Sequence, residues 1–107
     1  MRPGGQPNMQ QIMKQAQKMQ QQVAQAQAEL AAAELTGTAG GGLVNVVMTG
    51  LGEVKSVSID PKAVDPEDVE TLEDLVLAAI HNAAEAQREL TEEKMGPATG
   101  GLTLPGF

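Results

Sequence analysis

Few side chains in this sequence belong to the types that do chemistry, and their spacing argues against most of the chemistry they suggest. His81 is the single histidine and there is no cysteine. A metal site at His81 would therefore need carboxylates alone around it, and packing or surface exposure is the expected role of the ring. The acids Glu67, Asp68, Glu70, Glu73 and Asp74 resemble a cation site only in number, because they crowd a predicted helix start, where the helix dipole accounts for them. Gly50-Leu51-Gly52 opens like a dinucleotide fingerprint but lacks the third glycine, and a strand pattern follows where a helix is needed. Gly40-Gly41-Gly42 is not followed by the Gly-Lys-Ser or Gly-Lys-Thr of a phosphate-cradling loop. Nucleophilic catalysis has no base and nucleophile to pair. Neither an enzyme nor a bound cofactor is expected, and no small-molecule substrate is implied.

The spacing that stands out is basic. Lys14 and Lys18 lie four residues apart, hence on one side of a helix, with Gln10, Gln11, Gln15, Gln17, Gln21 and Gln22 around them. Long neutral amides of this kind donate to phosphate oxygens without adding charge. The pattern alone reads about equally well as a glutamine-rich soluble surface and as a face for DNA. The net charge of −7 opposes a nucleic-acid partner at first sight. Its distribution does not: residues 1–28 hold Arg2, Lys14 and Lys18 and no acid, for +3, while residues 29–107 hold four basic and fourteen acidic residues, for −10.

These residues must be positioned by one small domain, since the chain has 107 residues and no second apolar segment beyond a linker. Phe107 is the only aromatic residue, so the core is thin and dimerisation is expected. No apolar run approaches the roughly 20 residues that span a bilayer, and the start Met1-Arg2-Pro3-Gly4-Gly5 lacks a signal-peptide pattern. A cytoplasmic location is the expectation.

Asn8 can cap a helix reaching to about Glu34, with no Gly or Pro inside it. Its apolar residues Met9, Ile12, Ala16, Met19, Val23, Ala26, Leu30 and Ala33 alternate in steps of three and four, a coiled-coil seam, and place Lys14 and Lys18 on the opposite side. At 1.5 Å per residue such a helix is roughly 40 Å long, so part of it projects from a small domain as an arm. Leu35–Ala39 predicts a short extended piece before a glycine turn, Leu43–Thr49 a strand, and Glu53–Asp60 an antiparallel return strand. Asp65-Pro66 predicts an N-cap followed by proline at the first position of a second helix, which Gly96-Pro97 should end near Met95. The expected organisation is a loose stretch over 1–7, a single α+β domain over 8–95 and a Gly-rich tail over 96–107.

Several blocks together resemble the YbaB/EbfC family of bacterial nucleoid-associated proteins. They are Met13-Lys14-Gln15-Ala16-Gln17-Lys18-Met19-Gln20, Gly42-Leu43-Val44 through Ile59-Asp60-Pro61, Leu72-Glu73-Asp74-Leu75-Val76 with Ala78-Ala79, and Glu93-Lys94-Met95 closing in Leu104-Pro105-Gly106-Phe107. The likeness runs in order over nearly the whole chain. It implies an α-β-β-β-α subunit with a small antiparallel sheet and two long helices. It further implies an intertwined homodimer formed through the sheet and second helix, with Val44, Val46, Leu72, Leu75, Val76, Ala79 and Ile80 as the expected interface. The protruding helices would then grip double-stranded DNA with little sequence preference, in the nucleoid, with effects on its organisation and on gene expression. Lys14, Gln15 and Lys18 match the family's first-helix motif, and Lys94 the basic residue near the end of its second helix. Arg88 joins them on helical position and charge. The chain departs from the family pattern at His81-Asn82, where Asn and then an acid are expected, and at Glu85-Ala86, where a basic residue often stands. Glu92 and Glu93 also lower the potential around Lys94. The competing reading is a protein-interaction adaptor whose arm captures a partner helix and binds little DNA.

Overall fold

The structure, a computed structural model, describes residues 8–99. The predicted loose start over 1–7 and the tail beyond Thr99 lie outside them. The order is α1 (Met9–Ala32), β1 (Glu34–Ala39), β2 (Val44–Thr49), β3 (Val54–Ile59), a 3-10 turn (Pro61–Ala63) and α2 (Val69–Thr99). The three strands form an antiparallel meander in the order β1-β2-β3. This is the α-β-β-β-α architecture expected from the sequence.

α1 begins where Asn8 Oδ1 accepts the Gln10 N–H at 2.9 Å, an N-cap bond that satisfies one of the helix's open donors. It stops at Ala32, two residues short of expectation, because Ala33 turns extended and Glu34 already pairs with Thr49. Gly40, Gly41 and Gly42 turn β1 into β2, all with positive φ. The β2–β3 turn is held by Thr49, whose hydroxyl accepts the N–H groups of Leu51 and Glu53 at 3.2 Å each. Asp65 is not the cap of α2. Its carboxylate accepts the Glu67 N–H at 2.9 Å in a local turn, and Asp68 caps instead, accepting from the Thr71 N–H and hydroxyl. The proline that opens a helical segment is Pro61, in the 3-10 turn behind Asp60. α2 also continues through Gly96-Pro97 to Thr99. Proline removes one N–H and disturbs the carbonyl four residues back, and that residue is the exposed Glu93, beside solvent that can take up the carbonyl.

The core lies between one face of the sheet and α2. Val44, Val46, Met48, Ala79 and Ala83 are buried, fringed by Leu72, Leu75, Val76, Ile80 and Ala84. Alternation along β2 supplies Val44, Val46 and Met48 to one face. Ala79 and Ala83, four apart, give α2 a shallow side that lets its backbone settle directly on β1. The approach is so close that a β-carbon on Gly37 would overlap the Ala79 carbonyl and the Ala83 backbone. Gly50 does the same for the other helix, with Leu30 backbone where its β-carbon would stand. Two polar bonds complete the seat: the Thr38 N–H donates to Asn82 Oδ1 at 3.0 Å, and Gln87 Nε2 donates to the Gly50 carbonyl at 2.8 Å.

Gly37→Ala is expected to lower stability by about 2 kcal/mol or more, because backbone rather than a yielding side chain must move. Gly96→Ala, a helical position with no tertiary atom within 4 Å, should change stability by no more than ~1 kcal/mol, the gain in helix propensity being offset by crowding of the new β-carbon against Pro97. Urea unfolding midpoints of the two variants check the pair; equal midpoints would contradict the close-packed seat.

Candidate nucleic-acid interface

Both helices leave the sheet in the same direction. Leu30 of α1 sits over Gly50, which is bonded to Gln87 of α2, and one step back along α1 Glu29 pairs with Lys94, seven residues further along α2. The two helices are therefore antiparallel neighbours, and the N-terminal half of α1 extends away from the sheet. The shape follows: the molecule measures 81 × 28 × 16 Å with a radius of gyration of 21.4 Å, against about 13 Å for a compact chain of this length. α2 covers only the second half of the α1 seam. Ala26 and Leu30 are buried, Val23 and Met19 half-buried, and Ile12 and Met9 exposed.

Lys14, Gln15 and Lys18 all lie exposed on the projecting half of α1. Neither lysine makes an ion pair with any described residue, unlike Lys55, which is bound to Glu34, and Lys94. The nearest acid on the same helix is Glu29, eleven residues beyond Lys18, a rise of roughly 16 Å and about twice the Debye length in physiological salt. Two ammonium groups one helical turn apart, flanked by amide donors, form a surface suited to consecutive phosphates of a backbone.

The other two candidates are placed differently. Arg88 is exposed on α2 without an ion pair among the described residues, but Glu85 and Glu92 stand three and four positions away on its own side of the helix. Lys94 is engaged: its ammonium donates to Glu29 Oε1 at 3.1 Å, with Gln25 donating to the other oxygen at 3.3 Å. The Lys94 hydrogen bond, then its charge, then Gln25 hold the Glu29 carboxyl below its ordinary pKa. Lys94 thus ties α2 to α1 in the free chain, and a phosphate would have to displace Glu29 to reach it.

The residues expected at a dimer interface divide as well. Val44, Val46 and Ala79 are fully buried within the single chain, so they have no surface left to give to a partner and belong to the subunit's own core. Leu72, Leu75, Val76 and Ile80 are half-buried. Leu72, Val76 and Ile80, with Ile59, Glu73 and Leu77, line an open apolar groove of about 430 Å³. Beside it Val54 and Val57 are exposed on β3, which has no buried residue along its length. Val54, Val57, Ile59 and Leu77 were not among the expected interface residues, although all four are exposed here. Sequence reading also passed over Gly37 and Gly50; a lone glycine between two threonines in a strand was the available signal for a close backbone approach.

Fold and site together define a sheet-anchored α+β protein with a basic helical arm. The model of the YbaB/EbfC DNA-binding family matches residues 5–102. A nucleoid-associated protein of Saccharopolyspora erythraea is 64% identical over the full length of both chains. Another, from Streptomyces griseus, is 61% identical over 92% of this chain and 87% of its own. A crystal structure of an uncharacterised Helicobacter pylori protein shares the fold, with a TM-score of 0.72 over 92% of this chain and all of its own, at 23% identity. The chain belongs to the YbaB/EbfC DNA-binding family.

Removing the partner of Glu29 by Lys94→Met should raise the Glu29 pKa toward the ordinary carboxylate range, as followed by carboxyl-carbon NMR titration. Because the folded value is the depressed one, the pair's contribution to stability is present above the unfolded pKa and is lost as pH falls through the folded value. An unchanged Glu29 titration would contradict the pairing.

Proposed function

We propose that the chain acts as a nucleoid-associated homodimer that binds duplex DNA with little sequence preference, in the bacterial cytoplasm at the nucleoid. The observation that carries this reading is the Lys14–Lys18 pair, free of ion pairs among the described residues, on the outward side of an arm in a chain whose first 28 residues hold no acid. Family membership and the naming of its relatives as nucleoid-associated proteins support it.

Lys14 and Lys18 neutralise phosphates while Gln15 donates to neighbouring oxygens. The acidic start of α2, with Glu67 and Asp68 just before the helix and Glu70, Glu73 and Asp74 within it, lies at the opposite end of the helix pair and faces away from the duplex. Backbone contacts of this kind fix register and carry no base sequence. With no aromatic among the described residues, stacking on unpaired bases has no platform, so duplex is favoured over single strands. Arg88 and Lys94 are secondary contacts, the second after release from Glu29.

The second copy follows from the apolar strip of Val54, Val57, Ile59, Leu72, Val76, Leu77 and Ile80. These residues share the core-facing side of β3 and the adjoining side of α2, and a strip of this kind on a small protein marks an interface. A second chain's helix laid over β3 covers it and brings two arms, with four free lysines from the described residues, to one duplex.

Fluorescence anisotropy of a labelled random-sequence duplex tests this across a salt series. Four to six phosphate contacts per dimer give a log–log slope of about −4 to −5 and a loss of roughly 10²–10³ in affinity between about 50 and 200 mM salt. Lys14→Glu with Lys18→Glu should abolish binding while leaving the seam intact. Sedimentation equilibrium should give twice the 11.1 kDa of one chain. Binding that survives the double substitution would move the DNA surface away from Lys14 and Lys18, no binding of the unaltered chain even at low salt would return the arm to the protein-capturing reading, and a monomer mass would remove the two-armed grip.

A further inference from the structure

The apolar seam of α1 is longer than the helix that covers it. Where α2 lies against it, Ala26 and Leu30 are 5% and 3% exposed, whereas Ile12 and Met9 are 44% and 67% exposed. Between these extremes Ala16, Met19 and Val23, with Gln20, Ala24 and Gln27, line an open groove of about 460 Å³.

The end of α2 can be located along this seam. The direct contact between the helices is Lys94 with Glu29, and α2 continues five residues beyond Lys94 to Thr99, a rise of roughly 8 Å. Five residues back along α1 from Glu29 is Ala24, in the lining of the groove. From Met19 the seam runs on to Met9 for roughly 15 Å more.

The chain also runs on. After Thr99 come Gly100-Gly101-Leu102-Thr103-Leu104-Pro105-Gly106-Phe107, outside the described residues. No acidic or basic side chain occurs among these eight, and three are large apolar residues, including the chain's only aromatic. Eight residues reach at most roughly 26–29 Å, enough to follow the seam to its end. The other apolar groove is too far: Val76 at its centre lies 23 residues back along α2, roughly 35 Å from Thr99.

We propose that residues 100–107 dock in the Ala16–Gln27 groove of their own chain and continue the cover that α2 begins, with Leu102, Leu104 and Phe107 against Ala16, Met19 and Val23. The groove's apolar floor matches the tail's apolar side chains, and the Gln20 and Gln27 amides at its edges can bond the tail's backbone. Because Lys14 and Lys18 are on the far side of α1, docking leaves them clear. It stiffens the arm on which they are carried.

The single aromatic ring makes the test clean. Methyl-labelled full-length chain is compared with Phe107→Leu by NMR, assigning Ala16, Met19 and Val23. Docking predicts ring-current-shifted methyls at Met19 or Val23, nuclear Overhauser contacts to the Phe107 ring, and loss of those shifts in the variant with the rest of the spectrum unchanged. A sample mixing labelled and unlabelled chains should show these contacts to be within one chain. Methyls on α1 that ignore the substitution would overturn the proposal. So would ring contacts found only between different copies, or at the Ile59–Ile80 groove.

Discussion

Everything the arm does depends on how closely two helix backbones approach one small sheet. Gly37 lets α2 descend onto β1 at Ala79 and Ala83, and Gly50 lets the end of α1 rest on the β2–β3 turn. With only valines, alanines and one methionine in the buried cluster, there is little side-chain bulk to hold elements apart or to wedge them into place. Geometry is set by backbone contact instead, and dispersion between closely packed small groups replaces the burial of large rings. The bonds from Asn82 to Thr38 and from Gln87 to Gly50 fix the position of α2 along the sheet. Both helices therefore leave the sheet as a pair, and the projecting part of α1 has a defined direction.

That direction gives meaning to a charge distribution that the net charge conceals. An overall −7 is unfavourable for meeting DNA, yet local potential is set by what lies within about a Debye length. Along α1 the first acid comes well beyond the two free lysines, and it is occupied by Lys94. On the proposed reading a polyanion meets the arm first, since the acidic body repels it.

Much of this was legible in the residues. The helix cap at Asn8, the glycine turns, the alternating apolar positions of β2 and the seam of α1 are local signals, and the structure has each of them. Misreadings arose where two local signals competed or where partners are distant in sequence. Asp65-Pro66 is a good helix start, but Asp68 four residues before Leu72 puts the apolar face of α2 in register with the sheet, and tertiary packing selects it. Pro97 looks like a stop, yet at an exposed helix end its missing bond is easily solvated. The pairing of Lys94 with Glu29 had no local signal, because the two are far apart in sequence. Whether an apolar residue is buried in its own subunit or left half-exposed is a matter of tertiary placement, which separates Val44, Val46 and Ala79 from Leu72, Val76 and Ile80.

The central claim is that the outward side of the α1 arm is the surface that meets DNA. Backbone amide NMR of the uniformly labelled protein, titrated with a random-sequence duplex at low salt, maps that surface residue by residue. The account predicts shift changes concentrated at Gln11, Lys14, Gln15, Lys18 and Gln21, fading before Glu29 and absent from the first half of α2. Changes centred on the sheet or on α2, with the arm undisturbed, would contradict it.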